Sequence, residues 1–348
     1  MRVAFVGVGH HHYPLYREPV LASAAHKIVG LSDRNPEVAR LEAEEVGCGW
    51  SGDFRELVNR EKPDFVFVLG RHCDMAEAAN FLLDESIPFV VEKPAGLNYA
   101  EVKGLADKAA KRHAFAAVSL TMRDSEQAEL IAREVAGDEI HYVLFRWLGP
   151  TTARYSDPRW QWLLNPQESG GGALIYLGTH HIDWFRVLTG GRPIVVQAAL
   201  MANLAQHCPV EDYSNITLAV EGPGSLGVLE TGYLSAGELR TRPGGIPGFT
   251  SRIPVPTSPL DTHYVIRTSR RHITAADSTT TTVVNLETNE TRRLQGRGPD
   301  HHRFVESVLE LAHQGKQPSA TLTDMAEVMH VVDDAYRIAA RSRNTKGG

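Results

Sequence analysis

Cysteine is scarce. Cys48, Cys73 and Cys208 are an odd number, set far apart. They exclude a disulfide framework and a zinc spacing, and they suit a reducing cytosol. Positive charge is not in excess either. Against 42 Asp and Glu stand 36 Lys and Arg, for a net charge of −6, so a general nucleic-acid footprint is not expected. No apolar run approaches the ~20 residues of a membrane-spanning helix. A strand pattern already begins at Arg2, which leaves no place for a signal peptide. No internal repeat is evident. What remains is 42% hydrophobic and 22% charged residues in a chain of 348, enough for one or two domains with a sizeable core.

Up to about residue 120, short apolar runs alternate with helical periodicity. Strands are expected at Arg2–Val6, Lys27–Leu31, Asp64–Leu69, Pro88–Val91 and Phe115–Val118, with helices at Pro36–Val46, Met75–Glu85 and Tyr99–Lys111 between them. This alternation implies βαβ units and a parallel, doubly wound sheet. Beyond it the pattern changes. Helices are expected at Ser125–Val135 and Gly172–Leu188. Strands are expected at His141–Trp147, Ile194–Met201, Tyr213–Val220, Leu226–Tyr233, Tyr264–Thr268 and Thr280–Leu286. That is the grammar of an α+β unit with a mostly antiparallel sheet. Two amphipathic helices, Asp300–His313 and Thr323–Arg341, close the chain. The Gly- and Pro-rich stretch Ser235–Pro259 reads as a long loop. The expected domains are 1–121 and 122–348.

The first strand runs into Gly7-Val8-Gly9-His10-His11-His12. Two glycines permit a tight turn and the close approach of backbone to a pyrophosphate, whose charge the following helix N-terminus stabilises. His12 stands where the full G-x-G-x-x-G fingerprint has its third glycine. Asp33 ends the second strand, 24 residues past Gly9, where a carboxylate accepts hydrogen bonds from the adenosine ribose and favours NAD. Arg34 beside it is suited to a 2′-phosphate, which keeps NADP open. Three consecutive histidines invite a metal reading. Consecutive turn residues are expected to point apart, so none is assigned.

The run Pro88–Val91 enters Glu92-Lys93-Pro94, which places a lysine at the carboxyl edge of the sheet, where open α/β sheets bind ligands. Further on, Gly170-Gly171-Gly172 opens the expected helix. At about 100° per residue, Tyr176, His180 and Asp183 fall within about 60° of one another, with Leu174, His181, Ile182, Phe185 and Leu188 on the other side. One stripe packs inward and the other offers a phenol, an imidazole and a carboxylate. Hydride transfer from a carbinol needs a base for the hydroxyl proton and a donor to the developing oxyanion. His180 suits the first task and Lys93 the second. Tyr176 and Asp183 would bind substrate or orient the base. Trp160 and Trp162 are expected in packing rather than on a sugar face, and His301-His302 as a solvated or capping pair.

These motifs together resemble the Gfo/Idh/MocA oxidoreductases. The resemblance rests on Gly7-x-Gly9 with Asp33, on Glu92-Lys93-Pro94, on the segment from Gly170 to Asp183, and on Phe304, Pro318, Asp324 and Ala335-Tyr336 near the end. It implies a Rossmann domain followed by an α+β domain with an open sheet through which family members oligomerise. It implies NAD or NADP as cofactor, with Leu69, Glu92, Lys93 and Pro94 beside it and His10 and His12 in the phosphate turn. It implies oxidation of a secondary alcohol of a sugar, sugar derivative or cyclitol by Lys93 and His180. Tyr176 departs from the pattern, which has an aspartate there. Two further readings follow: an enzyme that retains NAD and cleaves a glycosidic bond, and a non-catalytic relative that binds nucleotide or sugar.

Overall fold

The computed structural model describes residues 1–155, 157–205, 207–221, 224–235, 239–243, 252–256 and 261–344. Its first layer is a six-stranded sheet of β1 (Arg2–Val6), β2 (Lys27–Ser32), β3 (Gly49–Ser51), β4 (Phe65–Val68), β5 (Phe89–Val91) and β6 (Ala116–Val118). The order is β3-β2-β1-β4-β5-β6 and every pairing is parallel. The strands are short apolar runs because both faces are covered. Val3, Phe5, Phe65 and Phe67 are buried on one side, and Ala4, Val66 and Val68 on the other.

The helices of this unit are α1 (Tyr13–Ala22), α2 (Pro36–Val46), α3 (Phe54–Glu61), α4 (His72–Asp84) and α5 (Tyr99–Arg112). Local chemistry sets α2 closely. Asn35 caps it by accepting from the Glu37 N–H at 3.2 Å, Pro36 opens it, and Gly47 closes it at φ 74°. The sequence reading missed α3 and β3. Only Leu57 and Val58 of α3 are buried, and the rest of Phe-Arg-Glu-Leu-Val-Asn-Arg-Glu is largely charged, so its apolar stripe is faint. Three residues of β3 are too few for a periodic signal.

After α6 (Glu126–Val135) comes an eight-stranded sheet. Its strands are β7 (Ile140–Pro150), β8 (Ile194–Ala202), β9 (Tyr213–Val220), β10 (Leu226–Ser235), β13 (Asp261–Thr268), β14 (Arg271–Ala275), β15 (Thr280–Asn285) and β16 (Thr291–Gln295). The order is β16-β15-β14-β13-β7-β10-β9-β8, with β7 and β10 parallel and the other neighbours antiparallel. The expected mostly antiparallel sheet is present. β14 and β16 are additions: β16 lies at the edge and shows almost no buried residue, hence no alternation to read. The segment expected as a loop after Ser235 carries β11 (Leu239–Pro243) and β12 (Arg252–Pro256), paired antiparallel; the remainder of that expectation lies outside the described residues.

Between β7 and β8 lie the short α7 (Pro166–Ser169) and the helix expected over Gly172–Leu188. That helix is not uniform. Leu174–Gly178 forms a π-helical turn before α8 (Thr179–Leu188) continues. At the end, α9 (His301–His313) and α10 (Leu322–Asn344) pack differently. Phe304, Val305, Val308 and Leu309 of α9 join Val3, Phe5 and Tyr16 in the core of the first sheet, whereas Val328, Val331 and Val332 of α10 share a core with Ile182, Ile216 and Leu218 of the second. The same core also holds Ala4, Val66 and Val68 of the first sheet, so α10 packs where the two units share one apolar interior.

Candidate active site

In a doubly wound sheet the ligand crevice opens where the strand order reverses, at the carboxyl ends of β1 and β4. The Gly7 turn and Leu69 sit there. Gly7 adopts φ +79°, and a Cβ on it would lie 2.5 Å from the Gly70 backbone nitrogen, so only glycine fits. A groove of about 800 Å³ runs from this turn past Asp33, Arg34, Leu69, Arg71 and Trp162.

Asp33 is 9% exposed at the end of β2 and accepts from the Gly9 N–H at 2.7 Å and the Asn35 N–H at 2.9 Å. Burial raises its pKa, and those two hydrogen bonds oppose the rise. Arg34 is exposed, 4.0 Å from the Glu168 carboxylate. A glycine turn with no room for side chains, a carboxylate at its mouth and a long groove between them fit a dinucleotide. When bound, it supplies the hydride acceptor or donor.

Beyond the groove the chain builds a dense polar cluster. Lys93 follows β5, with a cis bond to Pro94, and is 3% exposed. Its Nζ donates to the Tyr176 backbone oxygen at 2.7 Å and lies 3.7 Å from the Tyr176 ring centroid. Burial lowers its pKa to about 8, Glu92 opposes this, and Arg154 adds to it. Glu92 is 2% exposed. One of its oxygens accepts from the Tyr16 hydroxyl at 2.7 Å and pairs with His12 Nδ1 at 2.8 Å; the other is buried without a hydrogen-bond partner. Burial alone would raise the Glu92 pKa, but His12, Lys93 and His10 hold it well below the usual carboxylate range.

The Tyr176 hydroxyl lies 2.5 Å from His11 Nε2 and 3.3 Å from His12 Nε2. Burial raises its pKa well above that of a free phenol. His180 is half-buried, and its Nδ1 has no hydrogen-bond partner. Burial first, and the Lys93 charge second, push its pKa well below 6.5, so the ring is neutral at ordinary pH. His181, on the apolar side as expected, is fully buried against Phe145, Trp147 and Tyr264.

Several expectations need correction. Asp183 is not open to a substrate. It is fully buried and both its oxygens accept from Arg123, one of them from Nε at 2.8 Å. The helix expected as uniform is also interrupted, by the π turn at Leu174–Gly178. The histidines do not point apart. The rings of His10, His11 and His12 have centroids 4.2–5.0 Å from one another, because His10 folds back to accept from the His12 N–H at 3.1 Å. Nitrogens of these three lie within 4.8 Å of each other, as do ligand atoms of His12, Glu92 and His301. His301 is thus no solvated cap. It packs edge-on to Tyr16, and Asp300 caps the helix. Trp160 packs over the glycine turn, its indole donating to the Gly9 carbonyl at 3.1 Å.

Sequence reasoning passed over Tyr16, Tyr155, Arg154 and Tyr233. They are single residues on separate elements, brought together by the fold.

Two family models match: the NAD-binding Rossmann fold of the GFO/IDH/MocA oxidoreductase family over residues 1–120, and the GFO/IDH/MocA C-terminal domain over residues 126–243. The chain belongs to the Gfo/Idh/MocA oxidoreductases, and its cofactor is NAD, held by the Rossmann domain. No curated protein matches the sequence. Among solved structures it is similar to GenD2 from gentamicin A biosynthesis in complex with NAD (20% identity, TM-score 0.76, 98% of this chain and 94% of that one). It is similar also to an oxidoreductase domain protein from Kribbella flavida (19%, 0.80, 98% and 97%). A third is levoglucosan dehydrogenase in complex with NADH and levoglucosan (17%, 0.80, 98% and 97%). At these identities the likeness is one of fold.

Proposed function

We propose that this protein is an NAD-dependent dehydrogenase acting on a secondary alcohol of a sugar, sugar derivative or cyclitol. The observation that carries this reading is the polar cluster built against the glycine turn: the Tyr176 hydroxyl meets His11 and His12 of that turn, Lys93 lies on the Tyr176 ring, and the Lys93 charge acts on His180. Levoglucosan dehydrogenase and UDP-N-acetylglucosamine 3-dehydrogenase, named among the similar structures, support a sugar substrate.

In this reading Asp33 holds the adenosine ribose hydroxyls and disfavours a 2′-phosphate. Gly7 and Gly9 let the backbone approach the pyrophosphate. Lys93 turns its ammonium from the Tyr176 carbonyl to the substrate oxygen, where it stabilises the developing negative charge. His180, neutral through burial, accepts the hydroxyl proton. Tyr176, held by His11 and His12, donates a hydrogen bond to a substrate hydroxyl. Asp183 acts at a distance, through Arg123, by fixing α8. Residues 1–121 form the cofactor unit and 122–348 the substrate and assembly unit. Exposed Val195, Leu200 and Leu226 on the second sheet offer a face for a second copy of the chain. No helix of the described residues is long and apolar enough to cross a membrane, and the reduced cysteines suit a cytoplasmic setting.

Calorimetric titration of nucleotide-free protein tests the reading. Tight NADH binding with much weaker NADPH binding, followed by turnover of a sugar alcohol that His180→Ala abolishes, is the expected result. Binding of neither nucleotide would defeat it.

A further inference from the structure

Arg154 lies in a 3-10 turn, Thr152–Tyr155, just after β7. Its guanidinium is packed among three phenol rings, with Cζ 4.5 Å from the centroid of Tyr155, 5.0 Å from Tyr233 and 5.8 Å from Tyr176. Its Nε and Nη2 are buried and have no hydrogen-bond partner. Among the described residues no carboxylate lies within ion-pair distance of it.

The same two atoms grip carboxylates elsewhere in the chain. Arg123 donates from Nε and Nη2 to the two oxygens of Asp183. Arg71 does so to Asp74, and Arg40 to Glu37. This side-on fork matches the spacing of carboxylate oxygens. In Arg154 the fork is present, buried, and empty-handed. Arg154 as a whole is half-buried, and against that burial the phenols around it favour its charged form; the closed edge of the fork still meets no counter-charge, which a ligand carboxylate would supply.

The surroundings sharpen the point. Lys93 and Arg154 lie against the same Tyr176 ring, and each charge disfavours the other: Arg154 is among the groups that lower the Lys93 pKa. The carboxylate nearest in chemistry, Glu92, is already engaged by His12 and Tyr16. The position where the family pattern carries an aspartate holds the phenol of Tyr176. The site therefore holds two cations, Lys93 and Arg154, around a phenol where the pattern has a carboxylate.

We propose that the substrate itself brings the missing anion: it is a carboxylate-bearing sugar or polyol, of the uronic or aldonic acid class, whose carboxylate is bound side-on by Arg154 Nε and Nη2 while its carbinol faces Lys93. This deepens the dehydrogenase reading and rests on it. The three phenols close the fork to water, so the substrate carboxylate reaches it only as one of them swings aside, and the side-on geometry selects a planar, two-oxygen acceptor. Neutral sugars of the same size leave the guanidinium unpaired.

The test uses the full chain saturated with NADH. Matched neutral and acidic probes are titrated by calorimetry: d-glucose against d-glucuronate, d-galactose against d-galacturonate, and d-glucose 6-phosphate as a phosphate control. At least one acid is expected to bind about 10- to 100-fold more tightly than its neutral partner, the range of a charged hydrogen-bonded pair. Arg154→Met is expected to bring that ratio near one, and Arg154→Lys to restore part of it. Without sugar, Arg154→Met is expected to melt at or above the native temperature, because it removes an uncompensated charge.

The proposal is overturned if no acid outperforms its partner, if the ratio survives Arg154→Met, or if only the phosphate gains. A lower melting temperature with an unchanged ratio marks Arg154 as a packing post and overturns it too. Should NADH fail to bind, the dehydrogenase reading falls alone, and the acid-against-neutral comparison is made on the nucleotide-free chain.

Discussion

His12 Nε2 lies 3.3 Å from the Tyr176 hydroxyl. These are two positions at which the chain leaves its family pattern: His12 stands at the third glycine of the phosphate turn, and Tyr176 stands at an aspartate. The departures meet in space, separated by 164 residues, and continue through His12 Nδ1 to Glu92. A glycine at 12 would leave Tyr176 one partner fewer and Glu92 without its imidazole. An aspartate at 176 would not reach across as a phenol does. The two changes read as one rebuilt contact.

Removing the phenolic oxygen alone tests that contact. Tyr176→Phe keeps the ring on which Lys93 rests and loses the bonds to His11 and His12. Stability is expected to fall by about 1 kcal/mol, the size of a typical buried hydrogen bond. The turnover ratio kcat/KM is expected to fall about tenfold or more, since the substrate loses a donor as well. Thermal melts and steady-state kinetics check both.

Lys93 predicts a pH dependence of definite sign. Its folded pKa, lowered to about 8 from 10.5 by burial, means that the ammonium is present below pH 8 and lost above it. If that ammonium stabilises the oxyanion, kcat/KM declines as pH rises through 8, and Lys93→Met removes this limb with most of the activity. Stability moves the other way. Between pH 8 and 10.5 the unfolded chain binds a proton that the folded chain does not, so this lysine makes stability rise with pH across that window. Denaturant midpoints for native protein and Lys93→Met between pH 7.5 and 10 are expected to converge as pH rises.

Asp183 and His180 are expected to separate cleanly. Asp183→Ala empties the fork of Arg123, which keeps Ser319 and Asp324, and costs about 3 kcal/mol of stability, the low end for breaking a buried pair. The folded fraction keeps near-native kcat/KM. His180→Ala is nearly neutral for stability and lowers kcat by about 10²–10⁴, the range of a general base. A large loss of kcat in fully folded Asp183→Asn would instead return that carboxylate to the chemistry.

Asp33→Ala is expected to weaken NADH binding about 10- to 100-fold while sparing NADPH, because two hydrogen bonds to a charged group are lost and a like-charge repulsion is relieved. Calorimetry with both nucleotides measures it. Equal losses for the two would mean that Asp33 serves only to hold the Gly9 amide.

Much of this was legible in the chain. Arg2–Val6, Pro36–Val46 and Tyr213–Val220 fall where apolar spacing and caps put them, because buried parallel strands need unbroken apolar runs and half-covered strands need alternation. Gly7, Asp33 and Lys93 were findable for the same local reason: each sits at the end of a strand whose pattern is strong. Tertiary structure alone decided the rest. Arg123, 60 residues away in the chain, takes both oxygens of Asp183, so the carboxylate expected at the substrate is spent inside the protein. Arg154, Tyr233, Tyr155 and His301 come from three separate stretches of chain, and nothing in their local sequence says that they belong to the site. Their meeting depends on how α9 and the second sheet close onto the first, which is a property of long-range packing and not of any window of residues.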